Sequence, residues 1–288
     1  MFYNTIKTIV LMTLLSLMLL GIGHLIGGQE GMFIALVMAL LMNSITYFFS
    51  DKIVLRLYRA QPLSASAYPA IHEMVTRLAA HMHIPAPNIW IINSSVANAF
   101  ATGRNPQHAS IALTSGIVEL LDAHELEGVI AHELSHVKNR DILIGSMAAT
   151  LATAISYVAY WMRNAAMWGN YSNDNRRQNN PFALLILGML MPLAATLVQL
   201  AISRSREYEA DDSGARVTRD PLALASALQK LEHNLQFAHA KRDERYAPTS
   251  SLCIVKPFKK KQAFSLFATH PPMAKRIERL RKLHEQLF

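Results

Sequence analysis

The chain has 288 residues, 51% of them hydrophobic and 17% charged, with a formal net charge of +8. Soluble domains carry about 25% charged residues, so the composition argues against a wholly soluble chain, and the single cysteine, Cys253, excludes an internal disulfide. The basic excess gathers in "KPFKKKQ" (Lys256 to Gln262) and "KRIERLRKLHEQLF" (Lys275 to Phe288); with no recognised motif or interleaved aromatics it reads as a solvated face or a contact with anionic lipid, not as a nucleic-acid site.

The apolar residues cluster in four runs, Ile6 to Ile26, Gly31 to Ser50, Ile142 to Met162 and Pro181 to Ser203. Each is about 20 residues, the length a helix needs to cross a bilayer core. The first is too long for a signal peptide and shows no small-residue cleavage signal, and a second run follows it after "GGQEG". Residues 1–50 are therefore expected to form a transmembrane hairpin, and 142–203 a second one around an Asn-rich extracytoplasmic loop, 163–180. Lys7, Lys52, Arg56, Arg59, Lys138, Arg140, Arg204 and Arg206 flank the spans on the side of the termini, against Arg163, Arg176 and Arg177 on the other. That asymmetry puts both termini and the soluble parts in the cytoplasm.

Between the hairpins lies the first soluble part, 51–141. "SAYPAIHEMVTRLAAHMHI" places Ile71, Met74, Val75, Leu78, Ala79 and Met82 at helical spacing. "NIWIINSSVANAFATG" and "ASIALTSGIVELL" are rich in strand formers and are assigned two or three strands. Asp122 followed by Glu125 has the form of a capping box, starting a helix from Ala123 to about Asn139.

That helix carries "HELSH". Positions i and i+4 share a helix face, so the imidazoles of His132 and His136 can converge on one ion. Glu133 is turned about 100° from His132, too far to ligate easily but able to reach a water beside the ion. Two ligands and a base on one rigid element suit a zinc hydrolase. A third ligand is expected in "SRSREYEADDSGA", within the second soluble part, 204–288. Glu207 and Asp211 share a face there, while Glu209 points about 200° away from Glu207 and is expected in solvent. Glu207 is favoured as ligand. Asp211 is expected to accept the second N–H of a ligand histidine, with a salt bridge to a nearby arginine as its other reading. Because these segments abut the third and fourth runs, both ligand-bearing helices are expected to continue unbroken out of the membrane, setting the site at its surface.

"HELSHVKNRD" together with "SRSREYEAD" resembles the HtpX-type integral-membrane zinc metalloproteases, relatives of the Ste24 and Oma proteases. The resemblance covers nearly the whole chain. It implies one zinc per chain on His132, His136 and Glu207, with Glu133 as general base. "NAFATG" is similar to the family's edge-strand segment, which implies that Asn98, Ala99 and Phe100 bind an extended substrate. "THPPMAKRI" is similar to its C-terminal segment, which implies that His270 and Arg276 approach the site and stabilise the oxyanion; read alone, "HPP" is equally a helix start. The resemblance also implies a stress-response protease that removes misfolded membrane proteins in a bacterial inner membrane, with self-cleavage.

The expected fold is mostly α with a small β-sheet, an α+β zincin-like domain built from two chain segments beside four transmembrane helices. Three other readings compete. A site-2-type protease would bury its motif in lipid, but Glu119, Asp122, Glu125, Glu127, Lys138, Arg140 and Asp141 surround this one. A zinc-retaining scaffold or chaperone has no use for Glu133. A CAAX-type prenyl-protein protease is expected to have more than four spans.

Overall fold

The computed structural model describes residues 2–147, 150, 204–237 and 271–288. Most of the third apolar run and all of the fourth, the outer loop and the basic segment Lys256 to Gln262 therefore lie outside the described residues, and His270 lies outside them too.

Helix α1 (Phe2–Leu57) is broken at Gly27 and Gly28, where Gly28 has φ 59 and ψ −137, a conformation a side chain would strain. The break is tighter than the five-residue turn expected, since Gln29 to Gly31 already belong to the second arm. The arms fold back on each other. Asn43 donates to the Ser16 hydroxyl at 2.9 Å, and Gly23 meets Gly31 so closely that an added Cβ would fall 2.5 Å from the Gly31 carbonyl oxygen. Small residues that let backbones approach are a common device of helices packed in lipid. Helix Gly27–Leu57 is long and apolar enough to cross a membrane, and Phe33, Ile34, Met38 and Leu40 lie exposed along it.

Four strands form one mixed sheet in the order β1-β2-β4-β3: β1 (Gln61–Pro62), β2 (Asn88–Ile92), β3 (Ala99–Gly103) and β4 (Ala109–Thr114). β2 and β4 run parallel with Ile89 opposite Ile111, and β3 runs antiparallel to β4 with Ala101 opposite Ile111. Among the described residues β3 is thus an edge strand. Both faces of the sheet are covered. Ala99, Ala101, Ile111 and Leu113 join the main core, with Ile71, Val75 and Leu78 of α2 (Pro69–His81). Phe100 and Ala112 point the other way, onto Val54 and Leu55 at the end of α1.

The stretch "SGIVEL", expected to continue a strand, is instead a short helix, α3 (Ser115–Leu120). Thr114 starts it by accepting from the Ile117 N–H. Helix α4 (Ala123–Lys138) begins with the expected capping box, the Asp122 and Glu125 side chains each accepting the other's backbone N–H. Glu125 also accepts from Ser226 and Lys230, both at 2.6 Å. Those bonds tie the start of α4 to helix α6 (Pro221–Phe237).

Helix α5 (Arg204–Thr218) lies along α4 at very short range. A Cβ at Gly214 would sit 2.9 Å from the His132 backbone nitrogen. Helix α7 (Met273–Leu287) closes the domain, burying Arg276, Ile277, Leu280 and Leu283 against α5 and α6.

α4 does not run on into the third apolar run as expected. It stops at Asn139, Arg140 turns with φ 58, and a separate helical stretch, 141–147, follows. The turn is closed by the Arg140 N–H donating to the Val137 carbonyl.

Candidate metal centre

His132 and His136 project from one face of α4, their rings 4.8 Å apart at an interplanar angle of 89°. Facing them from α5 is Glu207. Its Oε2 lies 3.8 Å from His132 Nε2, and its Oε1 lies 3.6 Å from His136 Nε2. One donor atom from each residue falls within a mutual 4.8 Å. A tetrahedral zinc with ligands about 2.0–2.2 Å away holds those ligands roughly 3.4 Å from one another, so this donor set fits the ion in both chemistry and spacing.

Each histidine turns Nε2 toward Glu207 and Nδ1 toward an aspartate. His132 Nδ1 is 3.0 Å from Asp211 Oδ1, and His136 Nδ1 is 3.2 Å from Asp141 Oδ2. A carboxylate at Nδ1 fixes the ring's orientation and raises the basicity of the other nitrogen. Asp141 has no assigned role in the sequence reading. On a straight helix it would stand about 140° round from His136; the turn at Asn139 and Arg140 folds it back beneath the ring. Arg206 contributes a second, longer contact, its Nη1 3.8 Å from Asp141 Oδ1.

The two readings of Asp211 prove compatible. It holds His132 and also receives a fork from Arg276, Nε to Oδ2 at 2.8 Å and Nη2 to Oδ1 at 2.6 Å. The Arg276 guanidinium lowers the Asp211 pKa to about 2 against the opposing effect of burial. Arg276 is wholly buried, with Nη1 3.5 Å from Glu207 Oε2 and Nη2 3.4 Å from His132 Nε2. Arg276 thus reaches the ligand trio, as the resemblance implies, with its guanidinium forked onto Asp211. Glu209 is exposed, as its helix position requires.

Glu133 is buried beside the trio, and its Oε2 accepts the Ala101 N–H of edge strand β3 at 2.8 Å. Burial pushes its pKa up, while the neighbouring histidines and the Ala101 N–H pull it down. His136 is pushed up to about 9: burial opposes the proton, but the Asp141 hydrogen bond and the Glu207 and Glu133 carboxylates outweigh it.

Of the three residues assigned to substrate, Asn98 and Ala99 lie on or beside the outer edge of the sheet, and the Asn98 Oδ1 accepts the Ala99 N–H at 2.9 Å. The Phe100 side chain lies on the sheet face away from the main core, while the expectation for this segment rests on its backbone. Phe100 is 2% exposed and packs against Tyr58, ring centroids 5.1 Å apart, because alternate strand residues point to opposite sheet faces.

The profile of peptidase family M48 matches residues 65–284. Over 99% of this chain and 97% of the relative, the sequence is 47% identical to a "Protease HtpX homolog" of Sulfurihydrogenibium sp. (strain YO3AOP1). It is 49% identical to a protein of that description from Pyrococcus furiosus, over 96% of this chain and 95% of the relative. Among solved structures, the crystal structure of S. mikatae Ste24p is similar in fold, with a TM-score of 0.53 at 17% identity, covering 97% of this chain and 66% of that one.

Proposed function

The chain belongs to peptidase family M48 and is a membrane metalloprotease; we propose that it works with one zinc ion per chain on His132, His136 and Glu207, and that it cuts misfolded or damaged membrane proteins at the cytoplasmic face of an inner (plasma) membrane. In this reading it serves quality control under stress and is able to cleave itself. The layout is a transmembrane hairpin over 1–50, a second over 142–203 with an outer loop at 163–180, and a protease domain assembled from 51–141 and 204–288. The basic residues flanking the apolar runs support cytoplasmic termini, and the exposed apolar arm of α1 supports an anchor in the bilayer.

One observation supports the reading above all: the Glu133 carboxylate lies both next to the ligand trio and on the outer edge of strand β3, which pairs with no further strand among the described residues. A zinc ion in that trio supplies Lewis acidity, which polarises a peptide carbonyl and acidifies a water. The chain's own residues do the rest. The edge of β3 aligns an extended peptide by strand addition. Glu133 accepts the proton of the attacking water and passes it to the leaving amine. Asp211 and Asp141 hold the two imidazoles in register, and Arg276 holds Asp211 and Glu207. A zinc-retaining scaffold would not require a base at Glu133.

The test is metal content and casein cleavage on purified protein. Wild type should bind about one zinc and cleave. Glu133→Gln should keep zinc and lose cleavage by roughly 10²-fold or more, and Glu207→Ala should lose both. Cleavage by Glu133→Gln at the wild-type rate would sink the mechanism.

A further inference from the structure

Strand β3 leads from the candidate metal centre toward the end of the apolar stretch of α1. Its outward-facing N–H groups alternate along the edge: Ala99 is held by Asn98 Oδ1, Ala101 by Glu133 Oε2, and Gly103 by Ser146 Oγ at 3.3 Å. Ala101, bound to the base, marks where the reacting carbonyl belongs. Gly103 marks where pairing ends, because Ser146 also bonds Thr102 at 2.7 Å and both hydroxyls are completely buried. Just beyond, Arg104 lies over the Phe48 ring of α1, Cζ 5.5 Å from its centroid. Phe48 and Phe49 are about half exposed, at 51% and 47%. They end the exposed apolar stretch of α1, and the charges Asp51 and Lys52 follow at once. Phe48 thus stands where the exposed apolar stretch of α1 ends. Ala101 precedes Gly103 by two strand residues, about 7 Å.

Resting on the proposed membrane protease, we propose a substrate class and a direction: this site takes the extended segment that directly follows a membrane span. Antiparallel pairing is the stronger mode. A peptide antiparallel to β3 has its amino-terminal side at Gly103, the end beside Phe48, and its carboxyl-terminal side at Ala99. Ser146 closes the strand edge at Gly103, so the amino-terminal side leaves the sheet there and meets the bilayer within a few residues. The substrate's carbonyls replace Glu133 and Asn98 as acceptors of the Ala101 and Ala99 N–H groups. A span that follows the scissile bond would have to emerge at Ala99, away from the lipid.

The test uses the full-length zinc-loaded protein, co-reconstituted in phosphatidylcholine–phosphatidylglycerol vesicles with single-span substrates. One cleavable sequence is placed about 4 residues after the span, about 30 residues after it, or about 4 residues before it, spacings chosen against strand rise. Soluble casein is the control. Cutting of the close, after-span segment at least about tenfold faster than the other two is expected, from its enforced local concentration at the cleft. Equal or faster cutting before the span would overturn the direction, and equal cutting at the long spacing would overturn the juxtamembrane class. Casein cleaved with no single-span substrate cut would overturn the inference and leave the protease standing. Casein and all three substrates left intact would bring down the protease reading, and the inference with it.

Discussion

Arg276 and Asp211, 65 residues apart in sequence, form a two-pronged buried ion pair, Nε–Oδ2 2.8 Å and Nη2–Oδ1 2.6 Å. Asp211 in turn lies 3.0 Å from His132 Nδ1. Helix α7 is thereby joined through two contacts to His132, a member of the candidate metal-binding trio. A lysine cannot reproduce the planar fork.

The first prediction concerns this chain of contacts. Arg276→Lys should weaken zinc binding about 10–100-fold, the usual effect of losing an outer partner of a ligand; chelator competition measures it. Asp211→Asn should cost more stability, about 3–5 kcal/mol, because Arg276 is then buried without its counter-charge. The sign of the pH effect follows from the depressed pKa. Asp211 sits at about 2 when folded, against roughly 3.9 unfolded. Its contribution is complete above the unfolded value and is lost as pH falls from there through about 2. Metal-free wild type should lose thermal stability across that window, and Asp211→Asn should lack that loss.

A second prediction comes from His136. In the metal-free protein its pKa is about 9, above its unfolded value, chiefly through Asp141 once burial is overcome. A zinc ligand must be neutral imidazole, so binding at pH 7.5 should expel about one proton. Calorimetry in buffers of different ionisation enthalpy reads that number directly, and a value near zero would contradict the assigned geometry. Stability follows the opposite sense to Asp211. The contribution is complete below roughly 6.5 and is lost as pH rises through about 9. Asp141→Asn should flatten that fall and reduce the proton release.

Gly214 supplies a third prediction, because it sets the gap between the two ligand-bearing helices. An added methyl would meet backbone, 2.9 Å from His132 N and 3.1 Å from Ala131 C, and backbone cannot swing aside. Gly214→Ala should destabilise by about 1–3 kcal/mol, as overpacking does. It should also weaken zinc, since displacing α5 displaces Glu207. Gly128→Ala is the matched control. Its methyl would press on Leu224 of α6, at 3.2 Å, so it should lower the thermal midpoint and spare zinc affinity.

The sequence carried the local parts of this site and missed the parts made by chain reversal. α4 announces itself by its capping box, and the four-residue spacings of His132/His136 and Glu207/Asp211 put each pair on one face. Asp141 was hidden because the stop after α4 uses Asn139 and Arg140, the latter at φ 58 with no glycine or proline to signal it. α3 was hidden because Thr114 ends a strand and caps a helix at once. The Arg276 fork joins α5 to α7 across a long separation, which no local spacing could reveal.

Phe100 shows why strand faces were hard to assign, and it gives the last prediction. In β3 and β4 every residue is buried, so no apolar–polar alternation separates the cleft side from the far side. The structure turns Phe100 onto Tyr58, Val54 and Leu55, where it joins the sheet to the end of α1. Truncation there should therefore act on stability. Phe100→Ala should cost about 3–5 kcal/mol, and Phe100→Leu, which refills most of the volume, under about 1.5 kcal/mol. Below its melting range Phe100→Leu should cleave casein with an unchanged KM. A KM raised several-fold at unchanged thermal midpoint would overturn this structural role and give the ring a part in binding substrate. Asn98 is the contrasting position: its side chain caps the Ala99 N–H on the outer edge of the sheet, so Asn98→Ala should alter KM while leaving the core intact.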